Sequence, residues 1–187
     1  MSKSLSLFLE QNYRLTNSEI SDFISQTKSE NFLKNELLLG KGEICQTLWF
    51  LESGSIRQFY INKNLDEVNT QLVYEGQCFT DVVSFTTQAA TESNLQAFSE
   101  SKVLSISVHA LHKLIAKSQS YLQLGKILDS SRLIKYRSDQ SPESRYQLLM
   151  QSEPELLQAF PLKQIASYLN MTPETLSRVR KRISTLS

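Results

Sequence analysis

Residues that carry chemistry are scarce in this chain: two cysteines, two histidines and one tryptophan among 187 residues, beside five glycines and four prolines. Cys45 and Cys78 are far apart in apolar, strand-like surroundings, so buried free thiols are expected rather than a disulfide. His109 and His112 are three apart, but with no third His and no Cys nearby a metal site is not expected. No nucleophile and base stand in a known motif and no glycine-rich loop offers to cradle a phosphate, so neither an enzyme nor a cofactor is expected. No stretch approaches the roughly 18 consecutive apolar residues of a membrane span. The N-terminal residues acquire an acid, Glu10, too early for a signal peptide, which points to the cytoplasm. Charge of one sign is also lacking: 20 Lys and Arg against 19 Asp and Glu give a net charge of +1, which excludes bulk electrostatic coating of nucleic acid. Any contact with a polyanion must be local.

One locality qualifies. Residues 161–183, PLKQIASYLNMTPETLSRVRKRI, read as a helix, a tight turn and a second helix. Thr172 is a good N-cap, and Pro173 at the first helical position gives up no backbone bond it would have made. Leu176, Val179 and Ile183 recur at spacings of three and four and predict a buried stripe, leaving Glu174, Thr175, Ser177, Arg178, Lys181 and Arg182 around the rest of the helix. The preceding helix is expected to turn Leu162, Ile165, Ala166 and Leu169 inward, and Asn170 sits where a left-handed residue ends a helix. This is the geometry that enters a DNA major groove. Arg178 can contact guanine and Glu174 can accept from the cytosine amine; Thr172, Pro173, Thr175 and Ser177 lie at the entering end, and Lys181 and Arg182 meet phosphates. As charges alone, Glu174 and Arg178 also fit a plain surface pair.

Upstream the texture is that of strands and turns. Thr16 or Ser18 with Glu19 suggests a capped helix within a helical lead-in over residues 1–30. From residue 32 short apolar segments follow one another, and Glu-Ser-Gly-Ser at 52–55 between aromatic and β-branched flanks is a hairpin signal. Several short strands at this spacing predict an antiparallel jelly roll. Residues 108–117 read as a short helix, and 121 to about 139 as a long one whose Leu124, Ile127 or Leu128, Ser131 and Ile134 recur at three or four. Pro142 disfavours helix at Ser141 and suits a new helix start, which sets a boundary.

The helix-turn-helix resembles that of the Crp/Fnr family of bacterial transcription regulators. Where that family's recognition helix typically reads Arg-Glu-Thr-Val-Ser/Gly-Arg, this chain has Pro173, Glu174, Thr175, Leu176, Ser177 and Arg178. Glu174 and Arg178 thus fall on base-reading positions, whereas Pro173 replaces the usual Arg and implies a different operator. SPESRYQLLM at 141–150 is similar to the stretch leading into the motif in regulators of the Bacteroidetes type, and Gly-Lys-Gly-Glu at 40–43 with Ser53 and Gly54 resembles turns of the family's cyclic-nucleotide-binding β-roll. The chain runs only to Ser187, leaving almost nothing for the β-hairpin wing that often follows.

The resemblance implies an α+β fold: an antiparallel double-stranded β-roll with flanking helices and a long dimerisation helix at about 120–139, together residues 1–140, and a small helix-turn-helix domain at 141–187. The expected partners are double-stranded DNA, a second copy of the chain, RNA polymerase and, if the roll is occupied, an unidentified small-molecule effector; no membrane partner is expected. An effector pocket would involve Phe79, Thr80, Asp81, Ser93 and Asn94. Family members that hold a cyclic nucleotide use a Gly-Glu-Leu turn for the ribose and Arg-Ser/Thr-Ala for the phosphate. Here Phe79-Thr80-Asp81-Val82 and Ser93-Asn94-Leu95-Gln96-Ala97 stand in those places, with no Arg or Lys between Lys63 and Lys102. Loss of a charge-assisted contact to the phosphate argues against cyclic AMP or cyclic GMP. The interior is then either a site for another molecule or a scaffold filled by Trp49, Phe79 and Phe85. The rival reading is a small-molecule or protein-binding roll without specific DNA binding.

Overall fold

In the computed structural model, residues 2–128 and 139–184 are described. Two helices lead in, α1 (Lys3–Asn12) and α2 (Asn17–Ser25). Thr16, not Ser18, caps α2: its hydroxyl accepts from Glu19 N while the Glu19 carboxylate accepts from Thr16 N at 2.8 Å. Eight strands follow, β1 (Lys28–Phe32), β2 (Leu37–Leu39), β3 (Thr47–Ser53), β4 (Ser55–Ile61), β5 (Glu67–Tyr74), β6 (Cys78–Phe79), β7 (Asn94–Ala97) and β8 (Ser101–Ser107), with the short helix α3 (Val82–Thr87) between β6 and β7. They form two antiparallel four-stranded sheets, ordered β1-β8-β3-β6 and β2-β7-β4-β5. This is a jelly roll.

The hairpin expected around residues 52–55 is not one. β3 and β4 lie in different sheets, so the chain turns a corner there instead of pairing back on itself. Gly54, at φ +95°, makes the corner possible: a Cβ would stand 2.4 Å from the carbonyl of Glu100. The tight hairpin joins β4 to β5 through residues 62–66, where Asn62 Oδ1 accepts from the backbone of Asn64 and Asp66 at 2.8 and 2.9 Å. β1 had no strand signal, since its Lys-Ser-Glu-Asn-Phe is largely exposed; its place comes from pairing with β8.

The roll's core fills the space between the sheets, and α1 covers one face through Phe8 on Phe50, ring centroids 5.5 Å apart. α4 (Val108–Lys117) follows β8, capped by Ser107. Gln119–Leu128 is a 3₁₀ helix, not the start of the expected long α-helix. Tyr121 and Leu124 are buried and Ile127 packs on the core; a spacing of three is the face a 3₁₀ helix presents. The fully buried Tyr121 donates to Glu19 O at 2.8 Å, tying this helix to α2. The remainder of the expected dimerisation helix, residues 129–138, lies outside the described residues.

Four helices close the chain: α5 (Pro142–Ser152), α6 (Leu156–Ala159), α7 (Leu162–Tyr168) and α8 (Pro173–Ser184). Ser141 caps α5 with Pro142 in the first turn. Their core is separate from that of the roll except at one seam, where Leu72 of β5, 4% exposed, is buried among them and Tyr74 and Phe98 pack against them. β5 is the edge strand of its sheet, and α7 covers it. Ser167 Oγ accepts from Asn69 N at 2.9 Å and donates to Glu67 O at 3.3 Å, taking the bonds a further strand would have made.

Candidate nucleic-acid interface and the interior of the roll

Helix α8 is built as its spacing predicts. Thr172 Oγ1 accepts from Thr175 N at 3.2 Å, Asn170 takes a left-handed φ of 52°, and Leu176 and Val179 are buried against α5 and α7. Thr172, Pro173, Glu174, Ser177, Arg178, Lys181 and Arg182 are exposed and Thr175 is half-buried. Ser177 and Arg178 lie three and four residues from Glu174, and Lys181 lies four and three from them, so the four share a face. Arg178 reaches Thr175 Oγ1 at 3.4 Å, and Arg182 pairs with Glu143 of α5 at 2.9 Å. Hydrogen bonds from its own backbone and from Thr172, then the charge of Arg178, hold the Glu174 carboxyl below the usual range. It is therefore an acceptor at neutral pH, the form a cytosine amine needs.

Of the inner residues predicted for α7, Ile165, Ala166 and Leu169 are fully buried, but Leu162 is 38% exposed because it opens the helix at its outer end. Sequence reading missed the residue that holds the turn. Arg145, 6% exposed, donates from Nη1 to the carbonyls of Leu169 at 2.7 Å and Asn170 at 3.0 Å. These belong to the carbonyls a helix end leaves unpaired. Its signal was a lone Arg at a buried position of α5, flanked by Tyr146 and Leu149.

In the roll, Thr91 joins Asp81 to Ser93, whereas Phe79, Thr80 and Asn94 turn to other partners. Phe79 is 1% exposed and stacks on Trp49 at 5.6 Å, and Phe85 is buried in the same core. Thr80 donates to Thr47 O at 2.8 Å. Ser93 N donates to Thr91 Oγ1 at 3.0 Å, and Asn94 Oδ1 accepts from Lys41 N at 3.0 Å. Asp81, 5% exposed, caps α3 by accepting from Ser84 N at 3.0 Å, and accepts from Gln58 Nε2 at 2.9 Å and from the Thr91 hydroxyl. The acidic side chain of this interior is thus the protein's own, met by three neutral donors. Gln58 and Thr91 carried no sequence signal, since their role rests on a partner 23 and 10 residues away.

Neither cysteine is in a disulfide. Among the described residues, no group of three or more His, Cys, Asp or Glu is placed to hold a metal ion, and no helix is long and apolar enough to cross a membrane.

An antiparallel β-roll, entered through two helices and followed by a compact helical unit docked on its β5 edge, defines the class: a cyclic-nucleotide-binding-type jelly roll with flanking helices. Residues 29–118 match the family described as Cyclic nucleotide-binding domain. No curated protein matches the sequence. Among solved structures, the chain is similar to a CooA mutant from Carboxydothermus hydrogenoformans, at 14% identity and TM-score 0.69 over 100% of this chain and 87% of that one. It is also similar to FixK2 from Bradyrhizobium japonicum, at 14% identity and TM-score 0.67 over 86% and 85%. A third is CLP of Xanthomonas campestris, a c-di-GMP-responsive global regulator, at 18% identity and TM-score 0.62 over 91% and 92%. These are structures of Crp/Fnr-type regulators, and at such identities the likeness is one of fold.

Proposed function

We propose that the chain is a transcription regulator of the Crp/Fnr type, in which α7 and α8 form a helix-turn-helix that reads duplex DNA as part of a homodimer. The observation that carries this reading is the exposed face of α8, with Glu174, Ser177, Arg178 and Lys181 presented from a helix whose other side is locked by Leu176 and Val179. A two-fold dimer reads a palindrome with half-sites about one helical turn apart. RNA polymerase and a small effector are the further partners this role entails, and the cytoplasm is where it operates. The family and fold are those of regulatory binding proteins, and no catalytic constellation is assigned.

The test is selection of bound duplexes from a random pool at near-physiological salt. Enrichment of a two-fold symmetric site is expected. Arg178→Ala should then weaken binding to that site by about 10- to 100-fold, the discrimination a bidentate base contact supplies. Affinity should fall steeply with salt. Enrichment of nothing, with or without cell metabolite extract, would leave the roll as a binding module alone.

The roll, in this reading, does not take cyclic AMP or cyclic GMP, because a cyclic phosphate entering beside Asp81 would meet a buried carboxylate in place of an arginine. A ligand present at 100 times its Kd stabilises the folded state by roughly 2.7 kcal/mol. Millimolar cyclic AMP is expected to leave the melting temperature unchanged, and an upward shift of several degrees would overturn this part of the reading.

A further inference from the structure

The seam between the roll and the helical unit has an apolar part and a polar part. Leu72 and Phe98 make the apolar part, with Phe98 against Phe160 at a centroid distance of 5.2 Å. Beside Leu72 in the strand, Gln71 borders a cavity of 40 Å³ whose other walls are Thr70, Gln77 and Cys78 of the roll and Glu153 and Tyr168 of the helical unit. We infer that this cavity is a binding site for ordered water, held by Gln71 and shared by the two units. The site is independent of any contact with DNA.

Three features point to water. The first is an acceptor left without a donor. Gln71 Oε1 is buried with no partner among the described residues. A buried amide oxygen in that state has given up its hydration for nothing, a cost comparable to a lost hydrogen bond.

The second is size. A water needs a cavity of about 10–15 Å³, whereas sites for small organic ligands run from about 300 Å³ upwards. At 40 Å³ the cavity takes water and excludes the larger ligands.

The third is the chemistry of the walls. A cavity of this kind stays dry only where its lining is apolar. Here Thr70 spends its hydrogen on Gln58 O at 3.3 Å, which leaves its oxygen able to accept. Gln77 Oε1 accepts from Tyr74 N at 3.1 Å, which leaves its amide hydrogens able to donate. Burial, then the charge of Glu153, raises the Tyr168 hydroxyl, so it stays protonated at neutral pH. With Gln71 Oε1 and the Glu153 carboxylate, these walls offer more than the roughly three hydrogen bonds that a buried water makes. One carboxylate and one thiol are too few for a zinc or calcium site. Because the walls come from both units, the water completes on the polar side the joint that Leu72 and Phe98 make on the apolar side.

The test counts long-lived waters in the full-length protein by oxygen-17 magnetic relaxation dispersion. Gln71→Met removes the amide and keeps an unbranched side chain that can fill the same space. The variant is expected to hold at least one long-lived water fewer than the unaltered chain, with amide exchange at Leu72 and Tyr168 unchanged. An equal count overturns the site. If exchange at those two residues rises, or the variant does not fold, a crystal structure of the unaltered chain decides. A water oxygen at about 2.7–3.2 Å from the Gln71 amide oxygen is expected there. A dry cavity, or a protein donor on that oxygen in place of water, overturns the site.

Discussion

Arg145 places a guanidinium inside the C-terminal core, where a charge is costly unless its donors are used. Nη1 uses its donors on Leu169 and Asn170 where α7 stops and the turn begins, while Nε is buried with no partner among the described residues. Removing the side chain therefore leaves two carbonyls unpaired and opens a cavity under the turn. Arg145→Ala should lower stability by about 2–4 kcal/mol, the cost of breaking a buried charged contact. Urea unfolding followed by circular dichroism measures the loss, and amide exchange at residues 169–175 should rise most. Arg145→Lys keeps the charge and its donors but carries them on a flexible stem instead of the rigid planar guanidinium, and should recover only part.

At the scale of elements, the C-terminal helices were readable because every signal is local: Thr172 caps its own helix, Asn170 ends the one before, and the apolar stripe is fixed by spacing alone. The roll was readable as a class but not in its connections. Glu52, Ser53, Gly54 and Ser55 punctuate a hairpin and a corner between sheets equally well, and only the pairing of β3 with β8 and of β4 with β5 decides. Gln58, Thr91, Arg145 and Asn69 act on partners far along the chain, where no single-sequence pattern reaches. Helix α2 joins local and distant signals in one residue. Glu19 completes the capping box and also accepts from Ser118 Oγ at 2.7 Å, beside the 3₁₀ helix. The Thr16 backbone, then Ser118 and the Thr16 hydroxyl, hold its carboxyl down at about 2, from 4.5. A carboxyl lowered on folding stabilises the fold above its unfolded pKa, and that stability is lost as pH falls towards the folded value. The urea midpoint should thus drop between pH 4.5 and 2. Glu19→Gln should flatten this drop, and an unchanged pH profile in the variant would remove Glu19 as its cause.

At the scale of the whole molecule, two cores meet at a seam where Leu72 is buried and Tyr74 and Phe98 of the roll pack beside it. β5 sends Val73 into the roll and Leu72 among α5 to α8, so adjacent side chains of one strand serve both units. Strand alternation makes this cheap, since successive residues point to opposite faces. It also makes Leu72 the most deeply buried apolar position through which the two units are coupled. While Leu72 is buried, unfolding the C-terminal helices exposes the outer face of β5, and the two units should lose structure in a single transition. Leu72→Ala should cost about 2–4 kcal/mol in transfer and cavity terms, charged almost wholly to the helical unit. The single tryptophan, Trp49, is buried in the roll core, so its fluorescence reports that core alone. In Leu72→Ala, amide exchange over residues 156–184 should rise at denaturant concentrations where Trp49 fluorescence is still native. Coincident loss of both signals in the variant would mean that Tyr74, Phe98 and the bonds of Ser167 to β5 hold the units together without Leu72. Separation would show that Leu72 carries the larger part of the coupling between the roll and the C-terminal helices.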